Sequence, residues 1–214
     1  MRRNIVAGNW KMNKTFEEAD DLLYSIAEPL QNIDADNTEV ILCPPVLYAE
    51  MFTDIALENN FSVGAQNCSN HSSGAYTGEI SAAMLKSMDL EYCLVGHSER
   101  RQYFKEDSAM LAGKVDQLLD NSISPIFCCG EVLEDREASN HFDVVGTQLF
   151  EGLFHLKAEE LDNVIIAYEP VWAIGTGLTP SIEQIKEVHD FIRIELENNF
   201  GEKIGQSINI LYGG

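Results

Sequence analysis

An α/β class with parallel strands follows from three observations in this 214-residue chain. Short apolar runs rich in β-branched residues recur along it. Segments of helical period lie between them, two opened by capping boxes. Nothing between is low-complexity or linker-like, and the length suits one well-buried core, so a single domain over residues 1–214 is the default. Strand and helix in alternation imply parallel strands joined by right-handed crossovers.

The first run is Asn4-Ile5-Val6-Ala7. Thr15 with Glu18 then makes a capping box, and Phe16, Ala19, Leu23, Ile26, Ala27 and Leu30 recur at i+3/i+4, which predicts a helix with these six as its buried stripe. Four strand-like runs follow: Val40-Ile41-Leu42-Cys43, Val63-Gly64-Ala65, Tyr92-Cys93-Leu94-Val95 and Pro125-Ile126-Phe127-Cys128. Val164-Ile165-Ile166-Ala167 is the sixth. Ser181 with Gln184 repeats the capping device ahead of Ile182, Ile185, Val188, Ile192 and Leu196. Ile208-Asn209-Ile210-Leu211 is the seventh run. At this level a doubly wound sheet and a barrel are both open.

Fourteen Lys and Arg stand against 35 Asp and Glu, a formal charge of −21. Such a balance argues against a surface for DNA, RNA or anionic lipid. Cys43, Cys68, Cys93, Cys128 and Cys129 form an odd set without a Cys-x-x-Cys pair. They read as small buried hydrophobes in a reducing compartment, and adjacent Cys128 and Cys129 would point to opposite faces of a strand. No apolar run reaches the roughly 18 residues of a spanning helix, and the N-terminus lacks a signal-peptide pattern, so a cytoplasmic protein is expected.

The most informative segment is Ala167-Tyr168-Glu169-Pro170-Val171-Trp172-Ala173-Ile174-Gly175-Thr176-Gly177. It sets Glu169 where a strand leaves the sheet. Pro170 stiffens the start, Trp172 and Ile174 supply apolar cover, and the Gly-Thr-Gly exit can absorb a large rotation, as a closing lid requires. Alone, it reads equally well as an ordinary βα loop.

Two more segments decide between these: Gly8-Asn9-Trp10-Lys11-Met12-Asn13 after the first strand, and Leu94-Val95-Gly96-His97-Ser98-Glu99-Arg100-Arg101 after Tyr92-Cys93. With Gly74-Ala75-Tyr76-Thr77-Gly78-Glu79-Ile80-Ser81, Phe127-Cys128-Cys129-Gly130-Glu131 and Ile210-Leu211-Tyr212-Gly213-Gly214, the chain resembles the triosephosphate isomerase family from residue 4 to its last residue. The resemblance selects the (β/α)8 barrel, whose active sites lie at the C-terminal ends of the strands. Lys11, His97, Glu169 and the Gly213-Gly214 turn each follow a different strand, and are expected to converge on one rim.

The resemblance implies interconversion of dihydroxyacetone phosphate and glyceraldehyde 3-phosphate, without metal or cofactor. Glu169 is then the base, a neutral His97 at a helix start the electrophile, and Lys11 the cation that offsets phosphate and enediolate charge. It also implies that Asn9 positions substrate, that Gly175, Gly213 and Gly214 supply phosphate-binding backbone amides, and that Glu99 and Ser98 support them. Gln66-Asn67 and residues 74–81 resemble the loop that enters a partner subunit, with Thr77 reaching the partner's active site, which implies a homodimer. Arg100, Glu131 and Arg193 read as structural ion-pair candidates. Leu178 stands at the lid exit where many relatives carry Lys.

Two rivals remain at this stage. One is a phosphosugar aldolase, which needs a lysine on a late strand. The other is a catalytically inactive fragment or scaffold. The family's serine after Gly213-Gly214, its eighth strand with a second Gly-Gly pair, and its final helix are not in the sequence. The expectation is therefore an open barrel with a gap between the strands at Ile5 and Ile210, and little activity from the 214-residue chain alone. An isomerase assay of this chain beside one extended by the absent segment tests that expectation.

Overall fold

The computed structural model describes residues 2–31 and 37–213, in two compact units. The first comprises Arg3–Leu94 and Gln117–Pro125. It contains β1 (Asn4–Asn9), α1 (Phe16–Leu30), β2 (Thr38–Cys43), α2 (Ala49–Ala56), β3 (Ser62–Ala65), α3 (Ala82–Lys86) and most of β4 (Tyr92–Val95). Its strands pair in parallel, with Asn4 opposite Thr38, Ile41 opposite Ser62 and Gly64 opposite Tyr92.

Apart from Arg2, the second unit begins at Val95 and holds α4 (Ser98–Tyr103) and most of α5 (Ser108–Asp120). From Ile126 it continues through most of β5 (Ser124–Cys129), α6 (Leu133–Glu137), α7 (His141–Leu153) and α8 (Ala158–Leu161). β6 (Ile165–Tyr168), α9 (Ile182–Phe200), α10 (Glu202–Ser207) and β7 (Ile210–Tyr212) complete it. β5, β6 and β7 are again parallel, with Ile126 opposite Ile165 and Ile166 opposite Ile210. Among the described residues the strand order is β1-β2-β3-β4-β5-β6-β7, which leaves β1 and β7 at its two ends.

Both capping boxes form. Thr15 N–H donates to Glu18 Oε2 at 2.8 Å, and Ser181 N–H to Gln184 Oε1 at 2.8 Å. Each engages a donor that the helix start leaves unpaired. The apolar stripes are narrower than the periodicity predicts. Ala19, Leu23 and Ala27 are buried in α1 and Val188, Ile192 and Leu196 in α9, whereas Phe16 is 60% and Ile182 79% exposed. Both exceptions are the first residue of their helix, ahead of the first buried position, Ala19 and Val188 respectively.

All five cysteines are buried and unbridged. Burial pushes the Cys43 and Cys129 thiols up to about 12, and burial beside Glu169 holds Cys128 well above the ordinary value. A thiol at 12 is ionised to about one part in 10,000 at pH 8. Ellman's reagent is therefore expected to leave these three thiols unmodified in native protein at pH 8 and to label them after unfolding. Fast labelling of the native state counts against this burial. The folded state prefers the neutral thiols, so their contribution to stability is complete below about pH 9 and is lost as pH rises toward 12.

Candidate active site

Glu169 is the first residue past β6 and is only 7% exposed. Its backbone continues the ladder, its N–H donating to Cys129 O at 2.8 Å. Its carboxylate faces α4. Oε2 accepts from Ser98 N–H at 3.2 Å, and Oε1 lies 3.4 Å from His97 Nε2. A sequence separation of 71 residues is thus closed to hydrogen-bond distance by the placement of two strand ends.

His97 caps α4 from an extended conformation, φ −49° and ψ 139°. That geometry points its ring back at the helix start, where Glu99 N–H donates to Nδ1 at 3.2 Å. A ring nitrogen that accepts an N–H carries no proton of its own. That contact suits a His97 whose hydrogen is on Nε2, the atom facing Glu169. Nitrogen NMR at neutral pH is expected to report an unprotonated Nδ1 and a protonated Nε2, and a protonated Nδ1 contradicts the assignment. The helix start acts here through one directed amide as well as through its dipole. Glu99 Oε2 lies 3.6 Å from Nδ1.

Behind Glu169, Glu131 is fully buried. Its Oε1 accepts from Tyr168 Oη at 3.1 Å and from Trp172 Nε1 at 2.9 Å, with Arg136 Nη1 3.8 Å away. Arg136 also pairs with Glu187 on α9. Burial and the neighbouring Glu131 hold the Tyr168 phenol neutral, well above its ordinary range. Glu131 therefore acts mainly as an acceptor that ties the strand end to the segment beyond it. That segment makes one tight turn, Val171–Ala173, braced by Thr176 Oγ1 donating to Trp172 O at 2.8 Å. Gly175 and Gly177 then take φ of 68° and 79°, the left-handed region that glycine enters without strain. Nothing lies within 4 Å of the Cβ position of either.

Gly213 follows β7, and its Cβ position lies 3.4 Å from Glu169 Cγ. Its N–H donates to Tyr168 O at 2.9 Å, so this amide, expected to meet phosphate, is engaged in the β6–β7 ladder. What Gly213 supplies is room beside Glu169. Gly214 lies outside the described residues.

Asn9 and Lys11 belong to the other unit. Asn9 ends β1, and its Oδ1 accepts from Lys11 N–H at 2.9 Å. That turn holds Lys11 at φ 52°, a conformation costing a non-glycine residue about 1 kcal/mol. Gln66 offsets it from β3's end, its Nε2 donating to Lys11 O and Cys43 O, both at 2.9 Å. Sequence reading assigned Gln66 only to the partner-entering loop. Thr77 lies in the exposed run of residues 71–79, where the His71 and Tyr76 rings stack with centroids 3.9 Å apart. Ser69 N–H donating to Ile80 O at 2.8 Å closes that loop's base.

Of the three ion-pair candidates, Arg100 meets Glu106 at 2.7 Å beside buried Lys114. Arg193 is different, since it donates to the carbonyls of Gly205 and Ile208 instead of a carboxylate. Burial beside Arg2 lowers it to about 10.

A protein-family model described as triosephosphate isomerase matches residues 4–214. A protein of Bacteroides fragilis named triosephosphate isomerase is 48% identical over all of this chain and 84% of its own length. Namesakes from Cytophaga hutchinsonii and Porphyromonas gingivalis are 46% and 45% identical, over 85% of their lengths. The chain belongs to the triosephosphate isomerase family.

Family membership sets the fold class as the (β/α)8 barrel, of which the described residues supply seven parallel strands. It also disfavours the aldolase alternative. A triosephosphate isomerase needs no lysine nucleophile on a late strand, and β6 and β7 carry none.

Proposed function

We propose that the chain is an aldose-ketose isomerase that interconverts dihydroxyacetone phosphate and D-glyceraldehyde 3-phosphate through an enediolate. The observation that carries this reading is buried Glu169 lying 3.4 Å from Nε2 of His97, whose Nδ1 accepts the Glu99 amide. A carboxylate base beside a neutral imidazole is the arrangement known for triosephosphate isomerases themselves.

Glu169 removes a proton from the carbon next to the carbonyl, and the C–H electrons move onto the carbonyl oxygen. His97 Nε2–H stabilises the oxygen as its charge grows. Glu169 then returns the proton to the neighbouring carbon. In the geometry described, the Ser98 N–H donates to one oxygen of the Glu169 carboxylate. Release of that hydrogen bond in a site closed to water leaves the Glu169 carboxylate free to meet the substrate proton.

Lys11 supplies the cation for phosphate and enediolate, held by Asn9 and Gln66. A chain of charge −21 repels an anionic substrate at long range, but charges beyond roughly 8 to 10 Å are screened at cellular salt, so Lys11 and the Gly175 amide prevail locally. The same reading takes residues 1–214 as one barrel domain, placed in the cytoplasm. It assigns residues 74–81, with Thr77, to contact with a second copy in a homodimer. Sedimentation at micromolar concentration, before and after shortening that loop, tests the dimer.

Residues 170–177 act as the lid, with Trp172 held to Glu131 until closure breaks that bond. Phosphoglycolate is expected to suppress proteolysis within this segment, and equal cleavage with and without it counts against a lid. A coupled isomerase assay with glyceraldehyde 3-phosphate tests the activity. Formation of a borohydride-trapped adduct with substrate contradicts it.

A further inference from the structure

We propose that Gln148 is a positioning residue for Glu169, acting through the peptide of Gly130, a role that rests on Glu169 being the base. Past the end of β5, Cys129 O accepts from Glu169 N–H at 2.8 Å, and Glu131 O accepts from Val171 N–H at 3.0 Å. Alternate residues of an extended segment turn their peptide groups to opposite sides. Gly130, between those two carbonyls, therefore directs its own N–H and C=O away from β6, where a strand would have to pair them.

Gln148 takes that place. From α7, its Oε1 accepts from Gly130 N–H at 2.9 Å and its Nε2 donates to Gly130 O at 3.1 Å. Both groups of one residue are satisfied by a single side chain, which needs an acceptor and a donor at the same reach. Buried Val145 and Leu149, on either side of Gln148 in α7, anchor the helix that presents it.

The Gly130 peptide is in turn the surface on which Glu169 rests. A Cβ built at Gly130 would lie 1.7 Å from Glu169 O and 2.7 Å from its carbonyl carbon. Space this tight leaves Gly130 little room to move toward Glu169 without displacing its backbone. A displacement on the order of 1 Å in a reacting group lowers rate by about 100-fold. The amide of Gln148 thus fixes the height at which the Glu169 carboxylate leaves the strand.

Three variants test this. Gln148→Met keeps the length and removes both hydrogen bonds. It is expected to lower kcat by about 10- to 100-fold, with KM within about 3-fold, and to speed Gly130 amide exchange measured by NMR. Gln148→Glu keeps the acceptor but sets a carboxylate oxygen against Gly130 O. Protonation of the introduced carboxyl restores the donor, so its kcat relative to wild type is expected to rise as pH falls from ~8 to ~5.5. A merely structural role predicts a flat ratio. Glu169→Gln serves as the control. Loss of kcat in the control without loss in Gln148→Met overturns the positioning role, whereas full activity in the control overturns the base assignment instead. Gly130 amide exchange unchanged in Gln148→Met overturns the proposal whatever the turnover, and if Gln148→Met does not fold, the Gln148→Glu ratio decides.

Discussion

Glu169→Gln is expected to lower kcat by about 100- to 10,000-fold while shifting Tm by no more than ~2 °C. The two side chains have the same shape, and the remaining carbonyl oxygen can still accept from Ser98 N–H, so the folded state keeps that contact and loses only the acceptor facing His97. What disappears is the only oxygen pair at this position able to take a proton from carbon. The loss should fall on kcat and kcat/KM together, because the removed interaction belongs to the transition state. Steady-state kinetics beside thermal unfolding of the same preparation separate the two effects. Retention of kcat within a few-fold of wild type means that another group is the base.

Gly130→Ala should give the largest structural effect of any single methyl group near the site. Its φ is not in the left-handed region, so the backbone conformation suits alanine. The obstacle is space: the new carbon would meet Glu169 O at 1.7 Å, and the neighbour is backbone, which cannot rotate aside as a side chain would. Overpacking of this kind costs about 3 kcal/mol or more, a Tm decrease of about 6 to 12 °C for a chain of this size, with kcat falling as Glu169 is displaced. Gly201→Ala is the matched control, since it has φ +87° and nothing within 4 Å, so only conformational strain of about 1 kcal/mol applies. Equal, small losses in both variants contradict the close approach at Gly130.

Local patterns carried much of the fold. The seven apolar runs correspond to the seven strands within a residue or two, and both capping boxes form. Strand ends were less legible. Val164 and Ile208 are buried but lie outside β6 and β7, because burial and ladder pairing are separate properties that apolar composition does not distinguish. Phe16 and Ile182 fit the helical period and still face water, since period records direction around a helix and not how far along its axis the core extends.

For the proposed site, Glu169, His97 and Lys11 are candidates in the sequence because their motifs are contiguous and follow strands. Alternation, the (β/α)8 class and the family were determined at that level, by side-chain period and by the run of motifs from residue 4 onward. Tertiary structure decided the rest. It placed the Glu99 amide on His97 Nδ1, and it engaged the Gly213 amide in the ladder. It turned Arg193 onto two carbonyls and made Gln66 a staple for Lys11 across 55 residues. It also brought Gln148 onto Gly130 across 18 residues, with Gly130 packed against the Glu169 carbonyl. The physical reason is common to all of these: each depends on which donor meets which acceptor once separate elements have packed, and periodicity along the chain holds no record of that pairing.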